Sequence, residues 1–142
     1  MKQRLIILSD LWGINNNNWL SIYRSELESV FELEFYDCAK LGDVHIENNP
    51  EKDIHSQFIN GGIDLAVSNL LKKETQPISI LAFSIGGTIA WKACLMGLNI
   101  NHLFAVSATR LRYETVKPNC NLVLQYGDLD ENKPSKKMAY NT

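Results

Sequence analysis

Histidine is scarce in this chain. Three occur in 142 residues, at His45, His55 and His102, and none follows His102. Chemistry that needs an imidazole late in the chain has none to use. Cysteine is equally sparse: Cys38, Cys94 and Cys120 are odd in number and scattered. That excludes a disulfide framework and a zinc site of paired ligands, and it reads as reduced core thiols. No apolar run approaches the roughly 20 residues that a membrane-spanning helix needs. The formal net charge is −2, which removes the electrostatic case for nucleic acid or an anionic membrane as partner. No G-x-G-x-x-G follows the first apolar run and no P-loop lysine motif occurs, so a nucleotide-binding reading ranks low. No metal and no cofactor are expected. Met1-Lys2-Gln3-Arg4 leads straight into an apolar run, without a signal-peptide core, so a cytoplasmic protein is expected.

What is present is ordinary for a globular domain: 45% hydrophobic and 21% charged residues, with a length that suits one domain over 1–142. The chain turns on Ile78-Ser79-Ile80-Leu81-Ala82-Phe83-Ser84-Ile85-Gly86-Gly87-Thr88-Ile89-Ala90-Trp91. Ile78 to Phe83 is a short apolar run after Pro77, as in a central parallel strand covered on both faces. From Ile85 the apolar spacing becomes helical. Ser84 stands where strand becomes helix, and Ala82, Gly86 and Gly87 are small enough to let the two pack closely. Such a corner is a nucleophile elbow, with a serine hydroxyl at a sheet edge beside the amides of a helix N-terminus.

Ala82-Phe83-Ser84-Ile85-Gly86 resembles the G-x-S-x-G elbow of the α/β-hydrolase superfamily, with alanine for the first glycine. The resemblance implies a three-layer α/β/α sandwich around a five-stranded, mainly parallel sheet of order 2-1-3-4-5, a shortened α/β-hydrolase core. It implies a serine hydrolase of carboxylic esters or thioesters, with Ser84 as nucleophile and a small-molecule acyl substrate. The loop Ser9-Asp10-Leu11-Trp12-Gly13 stands where the family often has His-Gly. On that pattern the Leu11 and Ile85 amides form the oxyanion hole, where each donor is worth on the order of 3 kcal/mol. Asp10 would be unhelpful there unless it points away. Gly127-Asp128-Leu129-Asp130 matches the family's Gly-x-x-Asp, making Asp130 the acid, with Asp128 its neighbour. Trp12 and Arg110 are the candidate substrate contacts; Arg110 or Arg112 would meet a substrate carboxylate or phosphate, or else be solvated or paired.

The rest of the chain reads in the same terms. Leu5 to Leu8 is a buried strand. Asn15 to Asn18 suits a loop and a helix cap, and Trp19, Leu20, Tyr23, Leu27 and Val30 keep a helical stripe. Phe31 to Tyr36 alternates apolar with charged residues, as an edge strand does. Residues 41–53 read as loop. A helical region follows over 54–73, which Gly61-Gly62 should kink or divide. Leu103 to Val106 and Asn121 to Tyr126 are two more strands, each read as covered on both faces, and a further helix is expected from Pro134-Ser135.

Serine needs a general base, and the family order is serine, acid, histidine. No histidine follows Asp130. Of the three present, His45 is the best substitute base, because its loop should open on the catalytic side. His55 sits at a helix start and His102 at the wrong end of a strand. The chain alone is therefore expected to be a weak or inactive hydrolase, truncated relative to the family or completed by a partner, including a homo-oligomer formed through the edge of the last strand. The alternative is a non-catalytic binding or interaction protein on the same fold.

Overall fold

The computed structural model describes residues 2–15 and 18–127. Five strands form one all-parallel sheet in the order β2-β1-β3-β4-β5: β1 Gln3–Leu8, β2 Phe31–Tyr36, β3 Ile78–Phe83, β4 Ile100–Val106 and β5 Asn121–Gln125. This is the order that the elbow motif implied. The helices are α1 Leu20–Leu27, α2 Cys38–Leu41, α3 Glu51–Gln57, α4 Ile63–Lys73 and α5 Ile85–Leu95. None of these helices is long and apolar enough to cross a membrane.

Alternation along the strands assigns residues to two faces. Ile6 and Leu8 of β1, Ile80 and Ala82 of β3, Leu103 and Ala105 of β4 and Leu122 of β5 join one large core with α2, α3, α4 and α5. Helix α5 is buried at every position from Ile85 to Trp91, so it is apolar all round and the large core wraps it. Helix α4 buries Ile63, Ala66, Val67 and Leu70 at helical spacing and carries Lys72 and Lys73 in its last turn, where they oppose the dipole. Between α3 and α4 the backbone makes a wide turn over Phe58–Gly62, with Gly61 at φ 133°. Gly61-Gly62 thus divides the helical region, as its composition suggested, although the first helix begins at Glu51 rather than residue 54.

The other face is thinner. Leu5, Ile7, Leu20 and Phe83 make a small core, closed by edge-on aromatic contacts of Phe83 with Trp19 at 4.6 Å and Tyr23 at 5.0 Å. Among the described residues only α1 covers this face. Beyond it lies an open groove of about 560 Å³ over β3, β4 and β5. Here the sequence reading needs correction. Phe104 and Val123, read as covered, are 42% and 52% exposed, because each points to the groove while its neighbours point to the large core. Val30 also falls outside its stripe: α1 ends at Leu27 and Val30 is 61% exposed. The cap position of α1 is Trp19, which makes no side-chain cap hydrogen bond. Just before the stretch read as loop, α2 is an added short helix over Cys38–Leu41, capped by Asp37.

Candidate active site

Ser84 joins β3 to α5 with φ 53° and ψ −121°. That conformation is costly for a residue with a Cβ. The surroundings hold it there. The Ser84 amide donates to Val106 O at 2.9 Å, while Ser84 O accepts from Gly87 N at 3.0 Å and Thr109 N at 3.3 Å. The hydroxyl is free of this scaffold: among the described residues no group hydrogen-bonds to Ser84 Oγ, and the residue is only half-buried.

The two glycines after Ser84 are there for space. A Cβ on Gly86 would stand 2.6 Å from Ser9 O, and one on Gly87 would stand 2.5 Å from the Ala108 Cβ. Their absence draws the first turn of α5 against the loops that leave β1 and β4. The β4 loop is fastened further: Thr88 Oγ1 donates to Thr109 O, and Tyr126 Oη donates to Ala108 O at 2.7 Å.

The β1 loop is braced by residues that sequence reasoning passed over. Ser9, fully buried, accepts from Cys38 N at 2.8 Å through Oγ and donates to Asp10 O at 3.0 Å. Asp37 accepts from Ile14 N at 3.0 Å and Lys40 N at 3.1 Å. Its carboxylate lies where a Gly13 Cβ would be, 2.5 Å away. Asp37 therefore caps α2 and pins the loop after β1 at once. The signal was a helix-capping residue type at a strand end, but its second partner is 23 residues away in sequence. Asp10 Oδ1 accepts from Trp12 N at 2.9 Å, closing a local turn. Leu11 lies buried inside that turn, and neither its amide nor that of Ile85 has an acceptor among the described residues.

Arg110 adopts a left-handed conformation, φ 68°, and lies over the Tyr113 ring at 4.9 Å. It lines a cavity of about 280 Å³ with Lys92 and Glu114. Trp12 is half-buried against the large core. His45 is exposed; Gln57 hydrogen-bonds to its backbone N and O, and its Nε2 lies 4.0 Å from Asp43 Oδ1. His55 is half-buried in α3. His102 stacks on Phe104 at the amino end of β4. None of the three contacts Ser84. Asp128 and Asp130, like the helix expected from Pro134-Ser135, lie outside the described residues.

No protein-family model and no curated protein matches this chain. Solved structures do match. A proposed hydrolase of the alpha/beta superfamily from Xanthomonas campestris pv. campestris superposes with a TM-score of 0.66 at 14% identity, over 96% of this chain and 78% of that one. A proposed dienelactone hydrolase from Klebsiella pneumoniae gives 0.65 at 11% identity, over 94% of this chain. A protein of unknown function from Agrobacterium tumefaciens, proposed to be an alpha/beta hydrolase, gives 0.54 at 15% identity, over 95% of this chain. The chain spans 64% of the length of each of these last two. With the sheet order and the corner at Ser84, these likenesses identify the fold of this chain as that of the α/β-hydrolase superfamily.

Proposed function

We propose that this chain carries the nucleophile half of a serine hydrolase site for carboxylic esters or thioesters. Ser84 Oγ attacks the acyl carbon, and the amides of Leu11 and Ile85 take the oxyanion. Asp130 orients the general base, and Trp12 and Arg110 border the acyl substrate. The observation that carries the reading is the backbone of Ser84. A left-handed serine between a parallel strand and a buried helix costs stability and contributes nothing to packing. Strain of this kind is kept where a hydroxyl has to be presented. No histidine follows Asp130, and His45, the best substitute, is held elsewhere by Gln57. The chain by itself therefore turns over slowly or not at all. All three thiols are free, which fits a reducing, cytoplasmic setting.

A fluorophosphonate probe tests this. Slow labelling at Ser84, abolished in Ser84→Ala, is the expected result. Labelling that is fast and needs His45 would move the base to that residue. Labelling that persists in Ser84→Ala would remove Ser84 as nucleophile. The exposed Phe104 and Val123 beside the open groove favour one other reading, a non-catalytic binding protein on the same fold. It predicts ligand or partner binding that survives Ser84→Ala.

A further inference from the structure

Strand β5 forms one rim of the sheet, and among the described residues it pairs with β4 alone. The opposite rim, β2, carries Glu32 and Glu34, both exposed, and charge of that kind resists the approach of another strand. β5 has no such guard. Asn121-Leu122-Val123-Leu124-Gln125 holds no charge and no proline, and its register against β4 runs without a bulge. Gln125 O accepts from Ser107 N at 2.7 Å, so the backbone groups of Gln125 turn toward β4. Those of Val123 and Asn121 turn the same way, which leaves the N–H and C=O of Leu122 and Leu124 aimed at the open edge. The side chains alternate too. Leu122 points into the large core, while Val123 lies on the groove side beside Phe104, its partner in register. Read in either direction, the strand presents carboxamide, leucine, valine, leucine, carboxamide.

We propose that β5 is the interaction surface for a second copy of this chain, joined antiparallel about a two-fold axis at Val123. A pattern that reads alike in both directions matches itself under that symmetry. Leu122 then stands opposite Leu124 of the partner subunit, and the two exchange both backbone hydrogen bonds, as their outward N–H and C=O groups require. Val123 faces its own copy in the closer, non-hydrogen-bonded kind of pair, about 4.5 Å between Cα atoms. Asn121 meets Gln125 of the partner subunit, so no like charges oppose each other anywhere along the strand. On the groove side the pairing extends the Phe104–Val123 pair into one apolar row across both copies, which covers the exposed Val123. The carboxyl ends of the two sheets point opposite ways, so neither Ser84 corner is closed. One strand and one row are less than the roughly 1,200–2,000 Å² of a standard interface. The dimer therefore dissociates on dilution, and in dilute unfolding experiments the chain is monomeric with Val123 exposed. The pairing stands apart from the hydrolase reading and does not require Ser84 to be catalytic.

Sedimentation of the full chain over a concentration series tests this. The weight-average mass should rise toward twice the monomer value, and added salt should not reverse the rise, because the joint carries no ion pair. Amide exchange at Leu122 and Leu124 should be fast in dilute solution and slow in the dimer. Val123→Lys puts two like charges on the axis and should abolish the rise while leaving the dilute melt unchanged. A pair of double variants reads the register. Asn121→Lys with Gln125→Glu should dimerise at lower concentration than the parent, and Asn121→Lys with Gln125→Lys should stay monomeric. A dimer that survives Val123→Lys, or that responds alike to both double variants, overturns the proposal. So does a monomer at every concentration: slow exchange at Leu122 and Leu124 would then mean an edge covered within one chain, and fast exchange an edge left to a different partner.

Discussion

At Ser84 the backbone conformation and the chemistry can be separated by substitution. The residue sits at φ 53°, ψ −121°, where a side chain costs roughly 1–3 kcal/mol and glycine costs little. Ser84→Gly should therefore stabilise the chain by about 1 kcal/mol, after glycine's extra entropy loss. The same change should erase fluorophosphonate labelling. Ser84→Ala should erase labelling without the gain. Urea unfolding of the three proteins checks this; equal midpoints would mean that the corner is not strained. The elbow was legible in the sequence because small residues flank one serine between two changes of period. Ser9 and Asp37 were not, because their partners are brought together only when β1 and β2 pair.

Among the elements, α5 and the β1 loop touch through a gap the size of a missing methyl. Gly86→Ala would put a Cβ 2.6 Å from Ser9 O, against backbone that cannot swing aside. The expected cost is about 2–3 kcal/mol in urea unfolding, with slower labelling at Ser84; an unchanged midpoint would mean that the loop is free to move. A second link ties the strands to α4. Glu74, just past the end of α4, accepts from Arg4 Nη1 at 2.7 Å and from the Tyr36 hydroxyl. Burial opposes its ionisation, but those two donors outweigh burial and hold its carboxyl below the ordinary value of 4.5. A carboxyl depressed in the folded state stabilises fully above its unfolded pKa and loses that contribution as pH falls through the folded one. Acidification from neutral pH to below 4.5 should thus cost the parent chain more stability than Glu74→Gln. Thermal melts across that range check the sign; parallel curves would remove Glu74 as the cause.

At the scale of the whole sheet, the described residues pack unevenly: a deep core under one face and a sparse one under the other. Leu103→Ala, fully buried in the large core, should cost about 2–5 kcal/mol. Val123→Thr, on the open groove and 52% exposed, should change stability by no more than about 0.5 kcal/mol. Equal costs in denaturant unfolding would mean that the groove face is covered in solution. The sequence by itself determined the period of the strands and of α1, α4 and α5, the corner at Ser84, the division at Gly61-Gly62 and the scarcity of imidazole. These are local matters of spacing, side-chain size and composition. Tertiary structure decided the rest. Whether Phe104 and Val123 meet protein or solvent depends on which helix reaches their face, and strand hydrophobicity is the same in either case. Leu11 and Ile85 were named by position, but the closeness of their elements is set by Gly86 and by the Asp37 brace. Each such contact joins residues that no local pattern links, and each exists only after the sheet has ordered its strands.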